Sequence, residues 1–380
     1  MIPFALFVLL ITLMYSSFLF WIRKGWQRTD YFQGEYVNSG VRVTVIVAAR
    51  NEKENISACL NSLLMQDYDE KYYEVVVADD NSVDATADEV LKIMNENPEK
   101  NIRILKLEAL GIHSKKSAIS YCVQQSDSEL MLITDADCKV PSGWISAFVS
   151  FYLHTKADFI AGPVCISAEY GKAIASLQAI EQAALVSASA AGITFGKPMM
   201  CNAASMAFTK KVFEKVGGYP DNQSQASGDD TTLMMKVFSH HPDSVRFLKH
   251  QEAFAKTNPL KSLREFIMQR RRWAGKIPYS LSGFTRLMAL LTWLLSFSLL
   301  IILALSLLNQ LSWYWFIASL SVRFFSELIL LISLTDLFNL RAHLWLLLPL
   351  QPFYWMYVVY TGITAPFTTY RWKGRELKSG

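Results

Sequence analysis

Acidic and polar side chains follow three apolar stretches in the N-terminal half of the chain, and their types and spacing suit phosphate chemistry. They are Arg50-Asn51-Glu52, Asp79-Asp80-Asn81-Ser82 and Asp135-Ala136-Asp137. Carboxylates one residue apart can turn toward one pocket and present the oxygen ligands that Mg²⁺ and Mn²⁺ prefer. The sequence has neither GxGxxG after its first strand nor GxxxxGK(S/T), so phosphate binding would use a metal rather than a glycine-rich loop. The alternatives are a chance D-x-D and a capped turn at Asp79-Asp80.

Two further segments carry candidate catalytic side chains. Asp229-Asp230 opens a stretch with helical spacing, where a carboxylate either acts as a general base or caps the helix N-terminus. Residues 259–275 form a basic segment with an apolar stripe, and at about 100° per residue Gln269, Arg272 and Trp273 fall together beside that stripe. The pattern predicts an interfacial helix at 257–280 with its stripe in lipid. A stop-transfer basic cluster is the alternative.

The chain around these residues alternates strand-like and helix-like segments, which predicts an α/β fold with a mostly parallel sheet between helices. The β-rich runs are 43–49, 74–79, 102–107 and 130–134, with helical patterns near 55–65, 82–94 and 113–124. Ligands of such sheets bind beyond the carboxyl ends of the strands. We therefore expect a catalytic domain at 41–256, with the polar residues gathered at one edge of its sheet.

Charge is scarce at both ends of the chain. Only 18% of the 380 residues are charged, against about 25% in a typical soluble protein, and the mean hydropathy is +0.20. Residues 2–22 carry no charge and precede Arg23 and Lys24. This predicts an uncleaved transmembrane anchor at 1–24 rather than a signal peptide, and it places the following domain in the cytoplasm.

Three apolar runs near 287–308, 311–335 and 344–369 predict two to three C-terminal transmembrane helices within 284–370. The last run contains Pro349, Pro352, Gly362 and Pro366 and is either one kinked helix or a re-entrant hairpin. The five cysteines are scattered and form no C-x-x-C pair, so neither a zinc ribbon nor a disulfide framework is indicated. The net charge of +4 does not suggest a nucleic-acid partner.

Taken together, the motifs form an ordered set along the chain. They are Val47-Ala48-Ala49-Arg50-Asn51-Glu52, Asp79-Asp80-Asn81-Ser82-Val83-Asp84, Lys115 with Ala118, Asp135-Ala136-Asp137, Asp229-Asp230, Gln269-Arg270-Arg271-Arg272-Trp273 and Trp372-Lys373-Gly374-Arg375. The set resembles the membrane-integrated branch of glycosyltransferase family 2, which includes cellulose, hyaluronan and poly-N-acetylglucosamine synthases and ceramide glucosyltransferases. The resemblance implies a GT-A nucleotide-sugar-binding fold and a nucleotide-sugar donor, most often a UDP-sugar.

The resemblance also implies roles for individual residues. Those that would bind the donor are Ala49, Arg50, Glu52, Asp79, Asp80, Lys115 and Asp135. Asp137, together with Asp135, would hold Mg²⁺ or Mn²⁺. The catalytic set would be Asp230 as the base, Asp229 in place of the family's glutamate, and Gln269, Arg272 and Trp273 at the diphosphate and the acceptor end of the pocket. The sequence departs from the family at Ser114 and Ala203, where glycine is usual, and at Lys210, where arginine is common.

Under this resemblance the chain would be an inverting, metal-dependent transferase that moves a sugar from a UDP-hexose or UDP-N-acetylhexosamine to a lipid hydroxyl. The reaction would take place at the cytoplasmic face of the cell membrane. The small number of spans favours a single transfer; a processive polysaccharide synthase is the alternative, and a non-catalytic scaffold or transporter is a remote one. Arg323 and Glu327, one helical turn apart in a predicted span, form either an ion pair or part of the acceptor site.

Overall fold

The computed structural model describes residues 2–34, 40–112, 114–168, 172–219, 229–279, 282–365, 369–372 and 375–378. The chain divides into two compact units. The sheet unit comprises Thr29–Cys165 and Met200–Asn258, and the helical unit comprises Met1–Arg28, Ile166–Met199 and Pro259–Gly380. Residues 166–199 group with the helical unit, although they lie inside the range 41–256 expected for the catalytic domain.

In the part of the chain that the structure describes, the strands are β1 Val43–Ala49, β2 Tyr73–Asp79, β3 Ile102–Lys106, β4 Leu130–Asp135, β5 Cys138–Lys139, β6 Phe159–Ala161, β7 Val164–Ile166, β8 Met206–Thr209, β9 Val245–Phe247, β10 Ala255–Thr257, β11 Thr369–Trp372 and β12 Arg375–Lys378. The helices are α1 Ile2–Arg28, α2 Ile56–Leu64, α3 Thr86–Glu96, α4 Lys115–Gln124, α5 Trp144–Thr155, α6 Ala173–Thr194, α7 Lys210–Lys215, α8 Asp229–His240, α9 Leu263–Ala274, α10 Gly283–Leu307, α11 Trp313–Ile332, α12 Thr335–Phe338 and α13 Leu347–Thr364. Short 3₁₀ turns connect several of them.

Seven of the described strands form the central sheet of the sheet unit, in the order β3-β2-β1-β4-β8-β6-β9. Neighbouring strands from β3 to β4 run parallel, and so do β6 and β9, whereas β8 is antiparallel to both of its neighbours. The prediction of a mostly parallel sheet in an α/β fold is therefore confirmed.

Burial on both faces of this sheet explains the unbroken apolar runs in the sequence. Val45 and Val47 of β1 are fully buried, and so is Ile46, which points to the opposite face. Leu60 of α2 and Val90 of α3 join the same core as the two valines. β-branched side chains suit such strands because they pack well on a pleated surface, and each fully buried one contributes about 1.5–3 kcal/mol.

Among the described residues of the helical unit, three helices are long and apolar enough to cross a membrane: α1, α10 and α11. They agree with the expected N-terminal anchor. They also agree with two C-terminal spans, the lower end of the expected two to three. α1 packs against α6, α10 and α11. The N-terminal helix is thus part of a helical bundle within its unit.

The last apolar run forms a helix rather than a hairpin. α13 is continuous from Leu347 to Thr364 and carries Pro352 within it. Pro349 lies in the first turn, where a missing N–H has no helical partner to lose. Gly362 is a packing position rather than a break, because a Cβ there would lie 2.3 Å from Cδ1 of Trp293 on α10.

Candidate active site

The carboxyl ends of β1, β2 and β4 bring candidate residues together at one edge of the sheet. Ala49 of β1 pairs with Asp79 of β2, and Ala48 pairs with Asp135 of β4. Because β1 lies between the other two strands, the two aspartates flank its end. The parallel register, rather than closeness in sequence, therefore puts these acidic residues side by side.

The loops that follow β1 and β2 are tied together by hydrogen bonds. The Arg50 guanidinium donates to the backbone carbonyls of Asp80 and Asn81, the second at 3.1 Å. The backbone N–H of Glu52 donates to Oγ1 of Thr86 at 2.8 Å. Arg50, Glu52 and Asp80 are at least nine-tenths buried, and hydrogen bonds shielded from water are stronger than exposed ones. Arg50 thus braces the two loops that carry three of the donor-binding candidates, Arg50 itself, Glu52 and Asp80.

Asp79 closes a turn with its own carboxylate. Its Oδ1 accepts hydrogen bonds from the Ser82 hydroxyl and from the Ser82 backbone N–H, the latter at 3.3 Å. Asn51 and Asn81 adopt left-handed backbone conformations with φ of 50° and 57°, which asparagine tolerates better than most residues. The turn fixes the Asp79 carboxylate at the end of β2 and leaves Oδ2 as the oxygen with greater capacity for a ligand.

Asp135 and Asp137 lie at the end of β4 beside a lysine and two thiols. The Lys115 ammonium, at the start of α4, forms an ion pair with Oδ1 of Asp135. Sγ of Cys138 donates to Oδ1 of Asp137 at 3.4 Å. Burial, and then the neighbouring Asp135 carboxylate, raise the pKa of Asp137. Burial and the same two aspartates also raise the pKa of the Cys59 thiol. The ionised form of Asp137 therefore lacks full compensation by positive charge.

A divalent cation fits this pair of aspartates. Mg²⁺ prefers oxygen ligands and is usually held by one or two carboxylates together with substrate phosphates, and Mn²⁺ suits the same ligand types. A bound cation would place positive charge beside the two carboxylates and so favour the ionised form of the buried Asp137, whose pKa is raised by burial and by Asp135. Within the described ranges, no group of three or more His, Cys, Asp or Glu side chains could hold a metal by itself. The pair would therefore complete its coordination with phosphate oxygens or water.

Asp230 lies at the N-terminal end of α8 and is anchored by backbone groups. Its Oδ2 accepts the N–H of Ala203 at 3.1 Å, and its Oδ1 accepts the N–H of Thr231 at 2.8 Å. The loop that carries Ala203 is bonded to β4, because Oγ1 of Thr134 donates to the carbonyl of Ala204 at 2.9 Å. These bonds fix the orientation of the carboxylate, which a general base requires, and each oxygen keeps lone-pair capacity.

α9 carries the Gln-x-x-Arg-Trp motif, and a buried arginine within the motif organises two of its members. Arg270 is 5% exposed, and its guanidinium carbon lies 4.4 Å from the centroid of the Trp273 ring. Its Nη1 donates to Oε1 of Gln269. The carboxylate of Glu181 on α6 accepts from Nε of Arg270 at 2.7 Å and from the hydroxyl of Tyr357 on α13. Arg270 therefore connects the motif to two other helices of the same unit.

Part of the apolar stripe of α9 is covered by protein, whereas Leu263 is 40% exposed, and the expected position of the stripe in lipid stays a prediction. Phe266 is fully buried, and its ring centroid lies 5.2 Å from that of Tyr357. Leu260 and Ile267 pack on the same cluster, together with aromatic residues of α13. Helical spacing identifies an apolar face, but it does not say whether lipid or another helix covers that face. Arg272 is partly exposed.

Sequence reasoning missed Glu181 and Tyr357. Glu181 is the single charged residue of the apolar stretch 173–196; a charged residue in such a stretch is rarely buried without a partner, so its isolation was a usable signal. Tyr357 carries no comparable signal, because its role depends on contacts between helices far apart in the sequence. The side chain of Asp229 lies outside the described residues.

The parallel sheet with acidic residues at the carboxyl ends of its strands defines a GT-A-like α/β domain of the nucleotide-sugar-binding class. Residues 44–217 match the family model of glycosyl transferase family 2. The segment 44–217 is therefore assigned to a family-2 glycosyltransferase domain, in agreement with the expected family, and the expected GT-A-like α/β fold is confirmed. Among solved structures, a mannosyltransferase from Pyrobaculum calidifontis in complex with GDP-Man and Mn²⁺ has a TM-score of 0.62 at 16% identity, covering 96% of this chain and 98% of that chain. That likeness concerns the fold alone.

Curated relatives match a shorter region. Glycosyltransferase AglE of Haloferax volcanii is 30% identical over 122 residues, which are 32% of this chain and 39% of AglE. A beta-monoglucosyldiacylglycerol synthase of Nostoc sp. is 27% identical over 133 residues, which are 35% of this chain and 28% of that protein. The matched region thus spans well under half the length of either relative.

Proposed function

We propose that this chain is an inverting, metal-dependent glycosyltransferase that moves a sugar from a nucleotide-sugar donor, a UDP-hexose or UDP-N-acetylhexosamine, to a hydroxyl of a membrane lipid. The observation that carries the proposal is the sheet edge at which Asp79 and Asp135 flank the end of β1. Parallel sheets bind ligands beyond such an edge. A Nostoc relative is named for the synthesis of a glucosylated diacylglycerol, and a structural neighbour holds GDP-Man and Mn²⁺.

The loops braced by Arg50 are proposed to bind the nucleoside. Asp79 and Glu52 are buried carboxylates whose orientation is fixed by neighbouring residues, which suits hydrogen bonding to base and ribose. Asp80 follows directly and continues the same loop, and Ala49 ends β1 beside Asp79. The geometry is preorganised, so little entropy is lost when the donor binds.

The diphosphate is the leaving group, and its developing negative charge must be stabilised. Lys115 places an ammonium group beside Asp135. Asp135 and Asp137 would hold Mg²⁺ or Mn²⁺, which when bound supplies charge stabilisation for the departing diphosphate. Arg272 is proposed to add a fixed cation, since charges oriented before the reaction stabilise a transition state without reorganising.

The acceptor hydroxyl loses its proton as it attacks the anomeric carbon, and Asp230 is proposed to accept that proton. A positioned base typically contributes about 10²–10⁴-fold to the rate. One base with direct displacement inverts the anomeric configuration, whereas retention would use a second carboxylate as a nucleophile. Gln269 and Trp273, both held by Arg270, are proposed to contact the acceptor end of the reaction.

The cell membrane is the proposed location. The three apolar helices support it. Arg23 and Lys24 near the C-terminal end of α1 favour a cytoplasmic sheet unit under the positive-inside rule. Nucleotide sugar would then enter from the cytoplasm and the acceptor from the bilayer.

Radiolabelled nucleotide sugars, supplied one at a time to membranes that contain the protein and then followed by lipid extraction, test the proposal. Label in the organic phase that depends on Mg²⁺ or Mn²⁺ and disappears with Asp137→Ala is the expected result. Label found only in high-mass, ethanol-insoluble material would identify a processive polysaccharide synthase instead. No transfer from any UDP- or GDP-sugar would refute the proposed activity altogether.

A further inference from the structure

A cavity of about 140 Å³ lies within the helical unit, lined by residues of α1, α6, α11 and α13. For scale, a cavity of about 150 Å³ with apolar walls takes up benzene in another protein. Most lining side chains are aliphatic, but five carry polar atoms: Tyr15, Glu181, Glu327, Gln351 and Tyr354. Ionisable groups inside a bundle of apolar helices are costly, so they favour a binding role over simple packing.

Glu327 is hydrogen-bonded to three neighbours, and two of them also line the cavity. Its Oε1 accepts from the Tyr15 hydroxyl at 3.1 Å and from Nε of Arg323 at 2.9 Å, and its Oε2 accepts from Nε2 of Gln351. Nε1 of Trp355 holds Gln351 in place through a 2.9 Å bond to Oε1. A carboxylate has about four acceptor positions. Glu327 can therefore accept one more donor, such as a hydroxyl.

Arg323 has buried N–H groups that find no acceptor among the described residues. Its side chain is 0% exposed, and within the described part of the chain its Nη1 and Nη2 have no hydrogen-bond partner. The guanidinium carbon lies 5.3 Å from the ring centroids of Tyr15 and of Tyr354, both of which line the cavity. Ring faces stabilise the positive charge but offer no oxygen lone pair to these N–H groups. Arg323 does not itself line the cavity, so it acts on a molecule there through its bond to Glu327.

The charges around the cavity select an uncharged ligand. Arg323 pairs with Glu327, and Glu181 pairs with Arg270, so each positive charge already has its carboxylate. A phosphate would bring further negative charge next to two carboxylates in a medium of low dielectric constant. A hydroxyl adds no charge and can donate a hydrogen bond to a carboxylate.

The cavity is also connected to the candidate catalytic helix. Glu181 lines the cavity and binds Arg270 of α9, which in turn holds Gln269. The ion pair between Glu181 and Arg270 therefore connects the wall of the cavity to the Gln-x-x-Arg-Trp motif.

We propose that this cavity binds the polar end of the lipid acceptor, and that the acceptor is an uncharged lipid with a free hydroxyl. Glu327 accepts a hydrogen bond from the hydroxyl, and Arg323, which does not line the cavity, orients the Glu327 carboxylate through their ion pair. The term acceptor rests on the function proposed above, whereas the binding of an uncharged lipid here does not.

A binding measurement with the full-length protein in phosphatidylcholine nanodiscs tests the cavity. The probe is radiolabelled dioctanoylglycerol. Ala184→Phe on α6 fills the cavity, and Ala173→Phe, exposed on the same helix, is the matched control. We expect saturable binding to the wild type and to Ala173→Phe, and binding at least about tenfold weaker to Ala184→Phe. Unlabelled dioctanoylglycerol should displace the probe, and dioctanoyl phosphatidic acid should not.

Equal binding by Ala184→Phe and the wild type would overturn the proposal, and so would stronger competition by phosphatidic acid. Thermal unfolding in the same nanodiscs shows whether each variant folds. If Ala184→Phe does not fold, the double variant Arg323→Leu and Glu327→Leu, which removes both charges together, should lose binding in its place. Binding without any sugar transfer would keep the cavity and refute the proposed function. Sugar transfer to lipid at the wild-type rate in the cavity variants would keep the proposed function and refute the cavity as the acceptor site.

Discussion

Replacement of Glu181 separates the positioning of the catalytic motif from the stability of the fold. The Glu181 side chain is 13% exposed and is paired with Arg270, whose side chain is 5% exposed. Removing one partner of a buried ion pair costs about 3–5 kcal/mol, because the other charge stays buried without compensation. Glu181→Leu should therefore lower the free energy of unfolding of the helical unit by about that amount, measured by thermal or denaturant unfolding in detergent.

The same substitution should also slow sugar transfer. Without Glu181, Arg270 loses the bonds that hold it beside Gln269 and Trp273. A displacement of about 1 Å at a catalytic group can reduce the rate by about 10²-fold. We expect a loss of that order in kcat/KM for lipid glycosylation, measured from initial rates at a temperature where the variant is still folded.

The double variant Glu181→Leu with Arg270→Met distinguishes the two effects. Replacing both members of a buried pair by apolar residues is often neutral for stability, so Tm should return close to the wild-type value. Activity should stay low, because the methionine cannot donate to Gln269. Recovery of activity together with Tm would show that Arg270 has only a structural role, and unchanged activity in Glu181→Leu would refute the positioning role outright.

Asp137→Asn should raise the Tm of the metal-free protein at pH 7 while abolishing transfer. The raised pKa of Asp137 means that the folded state binds this proton more tightly than the unfolded state, so wild-type stability falls as pH rises through the folded pKa. Added Mn²⁺ should raise the Tm of the wild type but not of this variant. A metal-free Tm of Asp137→Asn below that of the wild type would contradict the effect of burial and of Asp135 on Asp137. Gly362→Ala should destabilise the protein by about 1–3 kcal/mol, because its Cβ would lie 2.3 Å from Cδ1 of Trp293. Gly283→Ala at the start of α10 is the control, and equal Tm values for the two variants would exclude the clash.

The strand ends were predictable because the signal for them is local. A buried strand reads as an unbroken apolar run, and the polar residues that follow it mark its carboxyl end. Parallel pairing then aligns Asp79 and Asp135 around β1, whatever their separation in sequence. The role of Arg50 as a brace was not predictable in the same way, since its acceptors are backbone carbonyls of the loop after β2.

The helical unit was harder to predict because its polar contacts join distant segments. Glu181, Arg270 and Tyr357 lie on three different helices, and the pattern of any one helix does not reveal the other two. Pro352 illustrates the limit of a local rule. It suggests a break, but α13 continues through it.

The most direct test of the proposed sugar transfer is the rate at which label passes from nucleotide sugar into extractable lipid when the base Asp230 is replaced. Asp230→Asn keeps the size of the side chain and removes the base, and Asp127→Asn at an exposed position is the matched control. We predict a decrease of about 10²–10⁴-fold for Asp230→Asn, with nucleotide binding retained, and no change for Asp127→Asn. A rate for Asp230→Asn within about twofold of the wild type would contradict the role of Asp230 as the catalytic base.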